Sequence, residues 1–269
     1  MSFRLSRTVL ALAIAVVGPV MLVPSTASAT SAKDELWIRF EGAKPGHKLA
    51  HVRNSGKSSL GVSLRTANGG HLMARKTSFT KSRVADFPDY VGGGGAPKAV
   101  IGVVNRGADR LAPGSHPFTV GVDFKIDAVA IGSTDDGNNL LQRGNYGSPS
   151  QYKLQVDKGH IGCRIKGHSG SALLVATSEV SSSTWYRVAC SLQHVQGGGQ
   201  REVLVIRTLD KRGRSHVLET VTSTTQVGPL PFPVKRPMSI GGKLKDSLRL
   251  PNRVEQFNGR LDNAFFRID

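Results

Sequence analysis

Apolar residues in this chain fall at every second position far more often than at helical spacing. In "HPFTVGVDFKIDAVAI", Phe118, Val120, Val122 and Phe124 alternate with polar or small residues, which places them on one face of a strand. "YKLQV" groups Tyr152, Leu154 and Val156, and "IGCRI" groups Ile161, Cys163 and Ile165. "SALLVATSEV", "TWYRVACSL", "REVLVIRTLD" and "HVLETVTS" continue the series, and "ELWIRFEG" reads as a first strand. Gly- and Ser-rich turns separate these runs, and helix-period patterns are scarce. The succession predicts an all-β fold, a two-sheet antiparallel β-sandwich.

Residues 42–115 alternate less regularly. "VGGGGAP", residues 91–97, reads as a loop or tight turn series rather than a domain linker, because neither flank looks complete alone. Basic clusters stand at "RKTSFTKSR", 75–83, and at "KRGR", 211–214. The second falls where a hairpin turn is expected, and solvated turns are commonly charged. The chain closes on "NGRLDNAFFRID". Ala264, Phe266 and Ile268 share a face, while Leu261 is out of phase, which predicts a bulge at Asp262–Asn263. By parity Asp262 shares the face of Ala264 and Phe266. An inward carboxylate there needs hydrogen bonds or a cation.

The first residues change the picture of where the protein works. Arg4 and Arg7, the apolar run "TVLALAIAVVGPVMLV" and the small residues "ASA" form the three parts of a secretory signal peptide, residues 1–29. An uncleaved anchor fits less well, because the run is short and carries Gly18 and Pro19. Cleavage after Ala29 leaves 30–269 as a single domain, within the size range of one sandwich. The expected location is secreted, extracellular, with cell-wall association open. In an exported chain, the two cysteines Cys163 and Cys190 invite a disulfide worth roughly 3.5 kcal/mol on the chain-entropy model. CxxC spacing is absent, which leaves a zinc or redox reading without support.

The formal net charge is +17. Anionic polymers are the natural partners of such a surface: wall polymers, sulfated or uronic-acid glycans, nucleic acid or anionic lipid. Aromatics make up only 6% of the chain and sit mostly at core-like strand positions, and no nucleic-acid module appears, so no specific nucleic-acid partner is expected.

Five stretches, in order, resemble the laminin-G-like / concanavalin A-like jelly-roll group, especially its secreted single-domain actinobacterial forms. "LAPGSHPFTVGVDFKI" looks like the group's first long strand. "NNLLQRGNYGSPSQYKLQV" is similar to the strand pair that follows. "STWYRVACS" resembles a W-H-x-V-A strand with Tyr186 in place of His, "MSIGG" an l-x-I-G strand, and "FNGRLDNAFF" the closing F-x-G-x-I-D-x-V strand, where Asp262 matches the group's Asp. The resemblance implies a sandwich of about a dozen strands with first and last strands paired. It fits a Cys163–Cys190 pairing and makes Asp262 a structural residue at a bulge, or one linked to calcium.

The group includes glucanases, whose relatives carry E-x-D-x-(x)-E. That pattern is absent; only Asp123 and Asp127 lie four apart in "VDFKID". "GHSGSALL", 167–174, resembles a serine-protease nucleophile loop only superficially and reads as a Gly/Ser turn. "STDDGNN" gathers Asp135, Asp136 and Asn138, oxygen ligands that would suit calcium, although such clusters also make ordinary turns. The eight histidines lack metal-ligand spacing. The expectation is a secreted, non-catalytic binding protein for carbohydrate or an anionic extracellular polymer, with no cofactor unless calcium. The alternatives are a glycoside hydrolase or lyase, and a structural surface protein adsorbed by charge.

Overall fold

A computed structural model describes residues 34–77, 82–91, 95–129, 137–233 and 236–269. The proposed leader, residues 1–29, and the Gly-rich 92–94 lie outside them, as does the whole 130–136 connection with Asp135 and Asp136. In chain order the strands are β1 (Leu36–Ile38), β2 (Leu60–Ala67), β3 (Met73–Lys76), β4 (Arg83–Phe87) and β5 (Lys98–Asn105). They continue as β6 (Phe118–Ile126), β7 (Gly137–Arg143), β8 (Gln151–Asp157), β9 (His160–Lys166) and β10 (Ser171–Glu179). The last five are β11 (Trp185–His194), β12 (Gln200–Leu209), β13 (Ser215–Ser223), β14 (Met238–Ile240) and β15 (Gly259–Ile268). No helix occurs among the described residues, and so none long and apolar enough to cross a membrane.

Two antiparallel sheets form a sandwich. One runs β13-β12-β11-β6-β15-β4-β3, with β1 added on β15; the other runs β10-β9-β8-β7-β14-β5-β2. The alternation read from the sequence sets the two inner faces. Phe118, Val120, Val122 and Phe124 of β6 meet Tyr152 and Leu154 of β8, and all are buried. Tyr152 stacks on Phe266 with ring centroids 5.3 Å apart, and Phe124 stacks on Tyr186 at 5.4 Å. The Cys163–Cys190 disulfide links β9 of one sheet to β11 of the other through the core, with Cα atoms 6.3 Å apart. First and last strands pair, Leu36 against Phe266 and Ile38 against Ala264.

Two charged side chains among the described residues lie wholly inside, Arg143 and Glu202. Arg143 of β7 shows no exposure, and it is satisfied on every side. It donates to both oxygens of Asp109 at 2.8 and 2.6 Å and to the Arg236 carbonyl at 3.2 Å, and it lies 4.5 Å over the Phe232 ring.

The bulge in β15 is present, and it overturns the parity reading of Asp262. Leu261 pairs with Phe124 and Asp262 with Asp123, but the next pair is Phe265 with Gly121. Asn263 and Ala264 thus stand opposite Val122 alone, and Asn263 takes the left-handed conformation with φ of 49°. The extra residue lets Leu261, Ala264 and Phe266 all face the core. It leaves Asp262 on the outer face, beside Asp123 and in line with Phe265. Parity counted across a bulge gives the wrong face by one residue.

Candidate functional site

The outer face of the seven-stranded sheet carries a groove of about 510 Å³. Its floor comes from positions that alternate with core residues. Gln151, Lys153 and Gln155 of β8 alternate with Tyr152, Leu154 and Val156, and Arg164 of β9 lies between Cys163 and Ile165. The 145–147 turn forms one wall and the loop from Lys243 to Glu255 the other.

The second wall is held by the protein interior. Gln256 accepts from the Ala99 amide at 2.8 Å and donates to the carbonyls of Ala99, Gly241 and Phe257. Lys243 N donates to Val254 O at 2.8 Å, which closes the loop on itself. Glu255 adopts φ of 52°, a strained conformation for a non-glycine residue. That backbone aims its carboxylate between Lys153, at 2.7 Å, and Lys243, at 2.5 Å. Burial pushes the Glu255 carboxyl up. The two ammonium groups more than reverse that, so its pKa lies below the ordinary carboxylate value.

The open side of the groove is aromatic and cationic. Tyr146 is 78% exposed, and the Arg164 guanidinium lies 4.3 Å from its ring centroid. Arg164 Nε also donates to Ser171 Oγ at 3.2 Å, so two contacts orient this cation, while it pairs with no carboxylate among the described residues. An amide relay runs from Asn139 through Gln142 to Asn145, at 2.8 and 3.3 Å. At the far end Leu173 of β10 is exposed, with Val175 two residues on. An exposed flat ring, amides and cations held by fixed contacts suit a hydroxylated, negatively charged ligand.

The acidic residues singled out from the sequence lie elsewhere. Asp123 is gripped by Arg187 in two bonds of 2.7 Å and accepts from Asn263 Nδ2 at 3.0 Å. Asp262 accepts from Ser82 Oγ at 2.8 Å and from Asn263 Nδ2 at 3.3 Å. Burial pushes the Asp262 carboxyl up to about 7, with the nearby Glu41 and Asp123 charges adding to it and the Ser82 hydrogen bond opposing it. Asp123 and Asp262 are 5% and 4% exposed, so neither is open to a substrate. Asp127 lies beyond the end of β6, and it shares no hydrogen-bond partner with Asp123 among the described residues. Burial raises its carboxyl as well.

Of the calcium candidates, Asp135 and Asp136 lie outside the described residues. Asn138 is buried, and its Oδ1 accepts from Asn258 Nδ2 at 2.7 Å, so that oxygen already has a partner in the fold. No group of three or more potential metal ligands occurs among the described residues. The "GHSG" stretch is a tight turn between β9 and β10, closed by Gly167 N donating to Gly170 O at 3.0 Å. "KRGR" turns β12 into β13 around Asp210, whose carboxylate accepts from the amides of Arg212 and Arg214.

No protein-family profile matches the chain, and no curated protein matches it. Solved structures do. The binding domain of botulinum neurotoxin serotype G aligns with a TM-score of 0.51 and 6% identity, over 87% of this chain and 47% of that one. The LG1–3 region of the laminin alpha2 chain aligns at 0.42 and 13% identity, over 81% and 33%. The marine PL-14 alginate lyase from Aplysia kurodai aligns at 0.40 and 10% identity, over 74% and 87%. The chain thus spans about half or less of the first two. The likeness is one of fold alone, a two-sheet antiparallel sandwich.

Proposed function

We propose that this protein is a secreted, non-catalytic binder of an extracellular carbohydrate, preferentially an anionic one, and that the groove over β7–β10 holds it. The observation that carries this reading is the exposed Tyr146 ring stacked with Arg164 above a floor of Gln155 and Lys153. A ring of that kind covers the apolar face of a sugar, and the amides exchange hydrogen bonds with its hydroxyls. Arg164 and Lys245 supply charge for a carboxylate or sulfate. A volume near 510 Å³ falls in the range of ligand pockets, about 300–1,000 Å³. The disulfide and the fold suit an extracellular setting.

A glycan and polyanion array at low and high salt, with calcium and with chelator, tests the reading. Selective retention of one anionic glycan that survives high salt is the expected result. Tyr146→Ala and Arg164→Ala should each weaken it about tenfold, roughly 1.4 kcal/mol. Uniform retention of every polyanion, lost in moderate salt, would leave a protein adsorbed by charge alone. Release of reducing ends or of unsaturated sugar from the bound polymer would make it a hydrolase or a lyase. Loss of the selective signal in chelator would put calcium in the site.

A further inference from the structure

A second face also carries a cluster of cations. Residues 39–59 leave β1, run beside β3 and return to β2, carrying Arg39, Lys44, Lys48, Arg53 and Lys57 against one acid, Glu41. The path is fixed by backbone bonds: Gly46 N to Ala74 O and Leu49 N to Leu72 O, both 2.8 Å, and Ser55 N to Trp37 O at 2.8 Å. Residues 39–55 enclose a concavity of about 640 Å³. Chain continuity through Arg53–Ser59 joins it to a second, of about 470 Å³, between Lys57–Ser59 and Arg106–Arg110, where the one lining acid, Glu35, is held by Lys57 at 2.8 Å. Lys44, Lys48, Arg53, Arg106 and Arg110 are exposed and pair with no carboxylate among the described residues.

Cations crowded on a rigid surface without partners repel one another, and a bound polyanion removes that cost. The rest of the surface narrows the partner. Trp37 is buried under the Arg39 guanidinium, 4.0 Å from its ring, and Phe40 is buried, so bases have no exposed ring to stack on. The exposed large apolar residues of the described chain all lie outside 39–59 and 106–110, so nothing here inserts into lipid.

We propose that this face is a second binding site, separate from the groove, for a linear oxyanion polymer of phosphate or sulfate groups recognised by charge. The protein would then engage two polymers, or two stretches of one, at once.

The test is the salt dependence of binding to linear inorganic polyphosphate, with dextran sulfate, single-stranded DNA and anionic vesicles in parallel. Each neutralised charge contributes about 0.7 to the slope of log K against log [salt]. Lys44→Gln/Lys48→Gln/Arg53→Gln should reduce the polyphosphate slope by about 2, and Arg106→Gln/Arg110→Gln by about 1.4. Both variants should keep the wild-type thermal transition, which shows that they fold, and whatever anionic-glycan retention the groove has in high salt. Polyphosphate and dextran sulfate binding alike makes charge the feature read; binding of one alone identifies the oxyanion. An unchanged slope in both variants overturns the proposal, as does transfer of the slope loss to Lys153→Gln/Arg164→Gln. Tighter binding of DNA or vesicles than of either polymer overturns it too.

Discussion

Asp262 shows how one residue can match a motif for reasons of folding. Its carboxyl sits on the outer face of the eight-stranded sheet, yet it is 4% exposed and pushed up to about 7. An unfolded aspartate ionises near 4. Between about pH 4 and 7 the unfolded chain therefore loses this proton while the folded chain keeps it, and stability contributed by this group falls as pH rises through that window. Above about 7 the folded chain carries a buried charge beside Asp123, whose own charge is held by Arg187. Asp262→Asn keeps an acceptor for Ser82 and removes the charge. Chemical denaturation at pH 4 and pH 8 should show the variant gaining roughly 2–4 kcal/mol relative to wild type at the higher pH. Asp34, Asp127 and Glu202 are raised as well and stay in both proteins, so only the difference between the two curves belongs to Asp262. Parallel curves would mean that Asp262 is ionised without cost in the native protein.

Among the elements, β1 and the strands from β6 onward were legible, while β2 to β5 in the irregular 42–115 stretch and the loops were not. Alternation in "FTVGVDF", "YKLQV" and "IGCRI" identified β6, β8 and β9 because each buries one face, and burial is what writes period two into a sequence. The groove was written in the same stretches, at the positions between the apolar ones. Gln151, Lys153, Gln155 and Arg164 had no signal of their own, since outward polar residues look alike whether they bind or are merely solvated. Only topology brings them beside Tyr146. The loop 241–257 was invisible for a related reason: Gln256 works through four backbone bonds, two of them to Ala99, which is far away in sequence. Gln256→Ala should leave those backbone groups short of partners and cost roughly 2–3 kcal/mol. Hydrogen exchange at the Lys243 amide should speed up, and affinity for the anionic glycan selected on the array should drop although Gln256 does not line the groove. Faster exchange with unchanged affinity would show that this wall does not shape the groove.

At the scale of the molecule, the closing strand is central to the fold. β15 lies between β6 and β4 and also receives β1, so it joins parts of the chain more than 200 residues apart in sequence. β14 likewise lies between β5 and β7 in the other sheet, at shorter sequence separations. The resemblance to laminin-G-like chains pointed to this pairing of first and last strands. Alternation alone could not, because it records which face is buried and nothing about which strand lies alongside. With its middle supplied last, the eight-stranded sheet depends on pairings of very long sequence separation, a topology that folds slowly. Removing residues 259–269 would strip the partners from β1, from β4 on its inner side and from one edge of β6, and would uncover Phe118, Phe124 and Tyr152. The truncated chain should show no cooperative thermal transition and should bind a dye for exposed apolar surface. Removing Asp269 alone, which takes away the partner of Thr119 and Arg267 at the exposed strand end, should leave the transition nearly in place. A cooperative transition in the chain ending at Asn258 would mean that each sheet folds on its local hairpins, with β15 added to a frame that already stands.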